Sequence, residues 1–160
     1  MKRATFVADV LGLMMYPVLA NGKETTMDSE ALLAEVKAKQ PHAASLAIRH
    51  VGAYVSTLTT ITADRLARLK PIHETHEGAD IASAFGAIEA AEPAPSTESS
   101  EPRWHLTFAD KSGAAILVVT TASSAPWHGT IEGHRVAYRT DRLVKWLTDR
   151  YAPDEASAVR

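Results

Sequence analysis

The run RWHLTFADKSGAAILVVTTA, residues 103–122, can fold in few ways. Trp104, Leu106 and Phe108 recur at every second position, the period of a strand with one buried face. Asp110-Lys111-Ser112-Gly113 is turn composition, and Ile116 to Val119 returns as a second β-rich run. Such a hairpin carries an apolar face that must be covered. The remaining segments therefore supply either strands that pair with it or helices that pack on it.

Residues 46–62 (LAIRHVGAYVSTLTTIT) favour strand through their valine, isoleucine, threonine and tyrosine, with a bulge at Gly52. A helical spacing over Ile48, Val51, Val55 and Leu58 also exists, but Thr57, Thr59, Thr60 and Thr62 weaken it. Leu66 to Glu77 reads as a second strand, placed at an edge or bulge by Pro71, and TIEGHRVAYRT at 130–140 as another. Three segments have helical spacing. The first runs from Asp28, a good N-cap, to Pro41, with Leu32, Leu33 and Val36 on one face. The second is Ala79 to Ala91, with Ile81, Phe85 and Ile88 aligned. The third follows Thr140 or Asp141 and buries Leu143, Val144, Leu147 and Tyr151, with Trp146 beside them and Pro153 at its end.

Hairpin-type connections dominate this order, and no glycine-rich strand-to-helix turn interrupts it. The expected fold class is α+β: a mainly antiparallel sheet of about five strands with two or three helices packed on one face. Residues 21–152 are expected to form a single α+β domain. Within it, 92–102 (EPAPSTESSEP) reads as an exposed loop, and 153–160 as a flexible tail.

Residues 1–20 bear on compartment. Lys2 and Arg3 precede an apolar stretch, and Val18-Leu19-Ala20 suits cleavage after Ala20, the pattern of a secretory leader. The alternative is an N-terminal helix with Phe6, Val10, Leu13 and Met14 on one face, which would leave the protein cytoplasmic. Asp9 and Pro17, in a stretch short of about twenty apolar residues, argue against an integral membrane span. The leader reading makes the protein periplasmic or secreted.

The absence of cysteine removes thiolate nucleophiles, thiolate metal sites and disulfides. A net charge of −2 does not suit a phosphate backbone, so nucleic acid is not an expected partner. No dinucleotide, phosphate-loop or calcium-loop motif is present, and no cofactor is expected.

Three clusters hold chemistry-bearing residues. The run IHETHEGAD at 72–80 offers His73, His76 and Glu77 as metal ligands, with Glu74 and Asp80 nearby. On a strand, however, His73 and His76 point to opposite faces, and the spacing is not that of a zinc-protease helix. Trp127, followed by His128, sits in a loop as either an interface anchor or a cover for the core. Arg103, His105, His134, Arg135 and Arg139 fall where an open sheet face could gather them into a basic strip for an acidic partner or anion. Ser123 and Ser124 lie near His128 without a nucleophile elbow, so serine catalysis is not expected there. The leading expectation is an exported, non-enzymatic binding or inhibitor-like module. It would recognise a protein or small ligand through the open sheet face and the Trp127 loop, in an oligomeric state the sequence does not fix. The alternative is a metal-binding protein or metal-dependent enzyme built on His73, His76 and Glu77.

Overall fold

The computed structural model describes residues 27–52, 55 and 59–156. The leader-like residues 1–20 and the end of the tail, 157–160, lie outside the described residues. The strands are β1 (Ser45–His50), β2 (His73–Thr75), β3 (Pro93–Pro95), β4 (Trp104–Ala109), β5 (Ala115–Thr121), β6 (His128–Ile131) and β7 (His134–Tyr138). The helices are α1 (Ser29–Lys39), α2 (Ala63–Ala67), α3 (Gly78–Ala90), α4 (Arg142–Tyr151) and the short α5 (Pro153–Ala156). Among the described residues the seven strands form one sheet in the order β2-β1-β4-β5-β6-β7-β3, and every neighbouring pair is antiparallel. The class is therefore α+β. No helix among the described residues is long and apolar enough to cross a membrane.

The hairpin of β4 and β5 sits at the centre. Leu106 faces Val119 and Phe108 faces Leu117. Its turn is closed by Asp110, whose Oδ1 accepts from the Ser112 amide at 2.8 Å and the Ala114 amide at 3.1 Å, while Gly113 takes φ 85°. These bonds favour the ionised carboxylate and hold the Asp110 carboxyl below its ordinary pKa, led by the Ser112 hydroxyl.

The sheet is larger than the expected five strands, for two local reasons. Segment 130–140 is not one strand. It belongs to two, β6 and β7, joined at Glu132 and Gly133 with φ 50° and 78°. Positive φ at both turn positions matches the right-handed twist of a tight hairpin, but Glu-Gly is a weaker signal than Asn-Gly. In addition, Pro93–Pro95 inside the expected loop pairs with β7. Two prolines are tolerated because this strand is an edge. The strand expected over 46–62 ends at His50, and the one expected from Leu66 shrinks to His73–Thr75. Thr62 accepts a hydrogen bond from the Arg65 amide at 3.3 Å and starts α2 instead, which carries Leu66 inward.

Helices α1, α3 and α4 cover one face. Leu32 and Val36 from α1, Phe85 and Ile88 from α3, and Leu143 and Leu147 from α4 join Leu46, Ile48, Trp104, Leu106, Phe108 and Leu117 in one core. Phe85 and Phe108 meet with ring centroids 4.5 Å apart, and Trp146 Nε1 donates to Ser83 Oγ at 2.9 Å between α4 and α3. Asp28 caps α1 by accepting from the Ala31 amide at 2.8 Å. Helices α1, α3 and α4 are the three expected on one face, and a further short helix was not expected. Short α2 lies on the other face, against β1 and β4, where Ile61 and Leu66 are buried outside the main core.

Two glycines separate packing from conformational effects. A Cβ at Gly129 on β6 would collide with the Thr120 carbonyl of β5. Gly129→Ala should cost about 3 kcal/mol of stability in urea unfolding. Gly86 is exposed within α3 with nothing within 4 Å of an added Cβ, so Gly86→Ala should stabilise by about 0.5–1 kcal/mol.

Candidate functional site

After β3 the chain must return from the edge of the sheet to β4, crossing β7, β6 and β5. Four strand spacings amount to about 19 Å. Residues 96–103, fully extended, reach only about 27 Å. The crossing is therefore short; it bends at Thr97, where the Glu98 amide donates to Ser96 Oγ at 3.1 Å. Past the bend, Glu98 and Ser100 both meet His128 at the start of β6.

His128 is buried on the face opposite the main core. Its backbone is fixed at the strand start, with N–H donating to Pro126 O and carbonyl accepting from Ala122 N, each at 3.0 Å. Ser100 Oγ lies 3.3 Å from Nδ1, and Glu98 Oε2 lies 3.4 Å from Nε2. A carboxylate only accepts, which favours the tautomer with its proton on Nε2; in that tautomer Nδ1 is the acceptor. The Ser100 hydroxyl is then the donor. Pro126 O, at 3.4 Å, is the second acceptor within its reach.

Beside this chain lies a cleft of about 320 Å³ lined by Ser100, Glu101, Arg103, Ser123, Ser124 and Pro126, among others. Its charges are already used internally. Glu101 Oε2 sits 3.3 Å from Arg103 Nη2, and Glu101 Oε1 accepts from the Ile61 amide at 2.6 Å. Arg103 Nη1 donates to Gly52 O and Val55 O, both at 3.1 Å. Ser123 Oγ is buried and makes no hydrogen bond. A wider groove of about 610 Å³ lies between Lys39, His42 and the Asp110–Ser112 turn, but it is shallow and its carboxylate is committed to the turn.

The residues expected to form a basic strip on an open sheet face are dispersed, because that face is not open. His105 lies buried on the face that α2 covers, and Arg103 is held by the 51–55 segment and Glu101. Arg135 is exposed but donates to Thr97 O of the crossing segment at 3.1 Å. His134 is exposed at the β6–β7 turn, and Arg139 lies past the end of β7. Trp127 is half-buried against the main core, and its carbonyl accepts from Tyr138 N at 2.8 Å.

The three expected metal ligands also diverge. The His73 ring meets Tyr151 in a tilted contact with centroids 4.8 Å apart, His76 Nδ1 lies 3.3 Å from Ala44 O, and Glu77 is the exposed N-cap residue of α3. Among the described residues no three His, Asp or Glu side chains group as a metal site. Sequence reasoning passed over Glu98, Ser100 and Glu101, which stand in a low-complexity run with no motif. The signal within reach was topological: a short segment that crosses the sheet must contact what it crosses.

His105 supplies a pH dependence. Burial first, and then the nearby Arg49 guanidinium, push its pKa below the usual 6.5, against smaller opposing effects of its own backbone and Asp64. The folded protein holds the ring neutral, so below about pH 6.5 the unfolded chain takes up the extra proton. Stability should be full above that pH and decline as pH falls through the lowered folded value. Urea midpoints measured from pH 7.5 to 5 should fall less steeply for His105→Gln than for the parent. Equal slopes would remove His105 as the source.

Comparison with protein-family models, curated proteins and solved structures returned no match for this chain.

Proposed function

We propose that the protein is an exported binding module whose ligand is a small, uncharged, hydrogen-bonding molecule held in the cleft beside residues 96–103. The observation that carries this reading is the cleft itself, lined by Ser100, Ser123 and Ser124, whose opposed charges Glu101 and Arg103 neutralise each other. Mutual neutralisation leaves no net charge to attract an ion, and the serine hydroxyls both donate and accept. A volume of about 320 Å³ is at the low end for ligand sites, which favours a compact molecule. Export rests on the basic, apolar and small-residue pattern of residues 1–20. Neither a net charge of −2 nor this cleft suits nucleic acid.

Saturation-transfer NMR with N-acetylated amino-acid amides and neutral monosaccharides tests the cleft, with acetate and phosphate as charged controls. At least one neutral probe should bind, and Ser123→Leu, which fills the cleft, should abolish its signal. Absence of binding, or binding unchanged in Ser123→Leu, would reject the site. The intact mass of protein from fractionated native cells tests export. A mass for residues 21–160 outside the cytoplasm is expected, and a full-length cytoplasmic mass would sink that part.

A further inference from the structure

We propose that Ser100, His128 and Glu98 form a nucleophilic relay at this cleft, and that the ligands it takes include carboxylic esters whose acyl group is transferred to Ser100 and then to water. The inference rests on the cleft being a ligand site and adds what happens there.

Each member has a position suited to its part. The hydroxyl of Ser100 lies 3.3 Å from Nδ1 of the imidazole, and Glu98 Oε2 lies 3.4 Å from its Nε2. Nucleophilic serine needs a base within hydrogen-bond reach and a third group that fixes the base's tautomer. Distances of 3.3 and 3.4 Å are on the loose side of that reach, as is usual before substrate is bound. Ser100 also lines the cleft, so its oxygen can meet a bound carbonyl.

The chemistry balances without a further reagent. Ser100 Oγ bonds to the ester carbonyl carbon while its proton passes to His128 Nδ1. The carbon–oxygen bond to the alcohol then breaks, and the proton on Nδ1 leaves with the alcohol. Water attacks the acyl-serine, gives a proton to Nδ1, and the carboxylic acid departs as the proton returns to Ser100. Glu98 is a positioning residue: it takes no proton and stabilises the imidazolium between the steps. Its carboxylate is largely exposed, so its contribution is screened, and the relay works more slowly than a buried one.

The test uses diisopropyl fluorophosphate, followed by peptide mass spectrometry, and p-nitrophenyl acetate hydrolysis. The inference expects the phosphoryl label on Ser100 and the loss of serine-dependent ester hydrolysis in Ser100→Ala, by at least a hundredfold. Labelling should slow at least tenfold in Glu98→Gln and recover in part in Glu98→Asp, with urea midpoints unchanged because residue 98 is exposed. His128→Gln should block labelling; since that residue is buried, the Glu98 variants decide the matter if it fails to fold. Label absent from Ser100, spread over several serines, or equally fast in Glu98→Gln overturns the relay. If neutral amides still bind while Ser100 stays unlabelled, the relay falls and the binding module stands. If neither occurs, both fall.

Discussion

Every other feature of this molecule depends on the pairing of β4 with β5 in a register that turns Trp104, Leu106, Phe108, Leu117 and Val119 to one side. A slip of one residue would exchange these for Arg103, His105, Thr107 and Val118, and would send the apolar set to the wrong face. The register is held at one end by the Asp110 turn and inside the sheet by neighbours on both flanks, with Ile48 opposite Leu106 and Ile131 opposite Val119. The glycine of β6 fits the same constraint. Gly129 lies so close to the Thr120 carbonyl that no side chain is accommodated, and Tyr138 uses the space by donating to that carbonyl at 2.9 Å. Burial raises the Tyr138 phenol pKa, so this donor keeps its proton.

The opposite face has a different logic. It carries polar side chains that hydrogen-bond among themselves: Arg49 Nη1 to Thr107 Oγ1 at 3.3 Å, Thr107 with His105 Nδ1 at 3.3 Å, and Thr120 with Thr130 at 2.9 Å. Two long connections then lie over parts of it. One carries α2 and supplies the Leu69 carbonyl to Arg49 Nε at 2.9 Å; the other is the 96–103 crossing. Because the groups beneath are already paired, both connections can lie there with little apolar surface of their own. Ile61 and Leu66 are the two large apolar side chains buried on this side among the described residues, outside the main core.

This division explains what was readable from the chain. The central hairpin, α1, α3 and α4 were legible because each has an apolar period matched to its structure, from Trp104-Leu106-Phe108 to Leu143-Val144-Leu147. Edge strands of three residues have too few positions to show a period, and Pro93 and Pro95 read as loop in any local analysis. The open sheet face was inferred from polar alternation on β4 and β7, which is the pattern of a solvated face. Polar alternation also describes a face covered by polar connections, and only strand order tells the two apart. His105 is the clearest case: a histidine at a polar position of an alternating strand, expected in solvent and found buried.

The candidate site follows from the same ambiguity. Strand order 6-7-3 puts β3 at the far edge, so the chain has to cross back over β6, and that path alone brings Glu98 and Ser100 to His128. None of the three is placed by hydrophobic period. The crossing segment is held by polar attachments: Ser96 N to Arg135 O at 3.0 Å, Arg135 Nη1 to Thr97 O at 3.1 Å, the Glu98 and Ser100 contacts with His128, Ser100 with Pro126 O, Glu101 with Ile61 and Arg103, and Arg103 N to Thr121 O at 3.0 Å. Each is polar and individually worth about 1 kcal/mol, against a main core that buries some twenty side chains. The segment can therefore open at far lower cost than the sheet beneath it. The cleft is walled on one side by this segment and on the other by the turn before β6. The proposed relay therefore joins a buried histidine fixed by its strand to a serine and a glutamate carried by the crossing segment, so its geometry depends on those polar attachments.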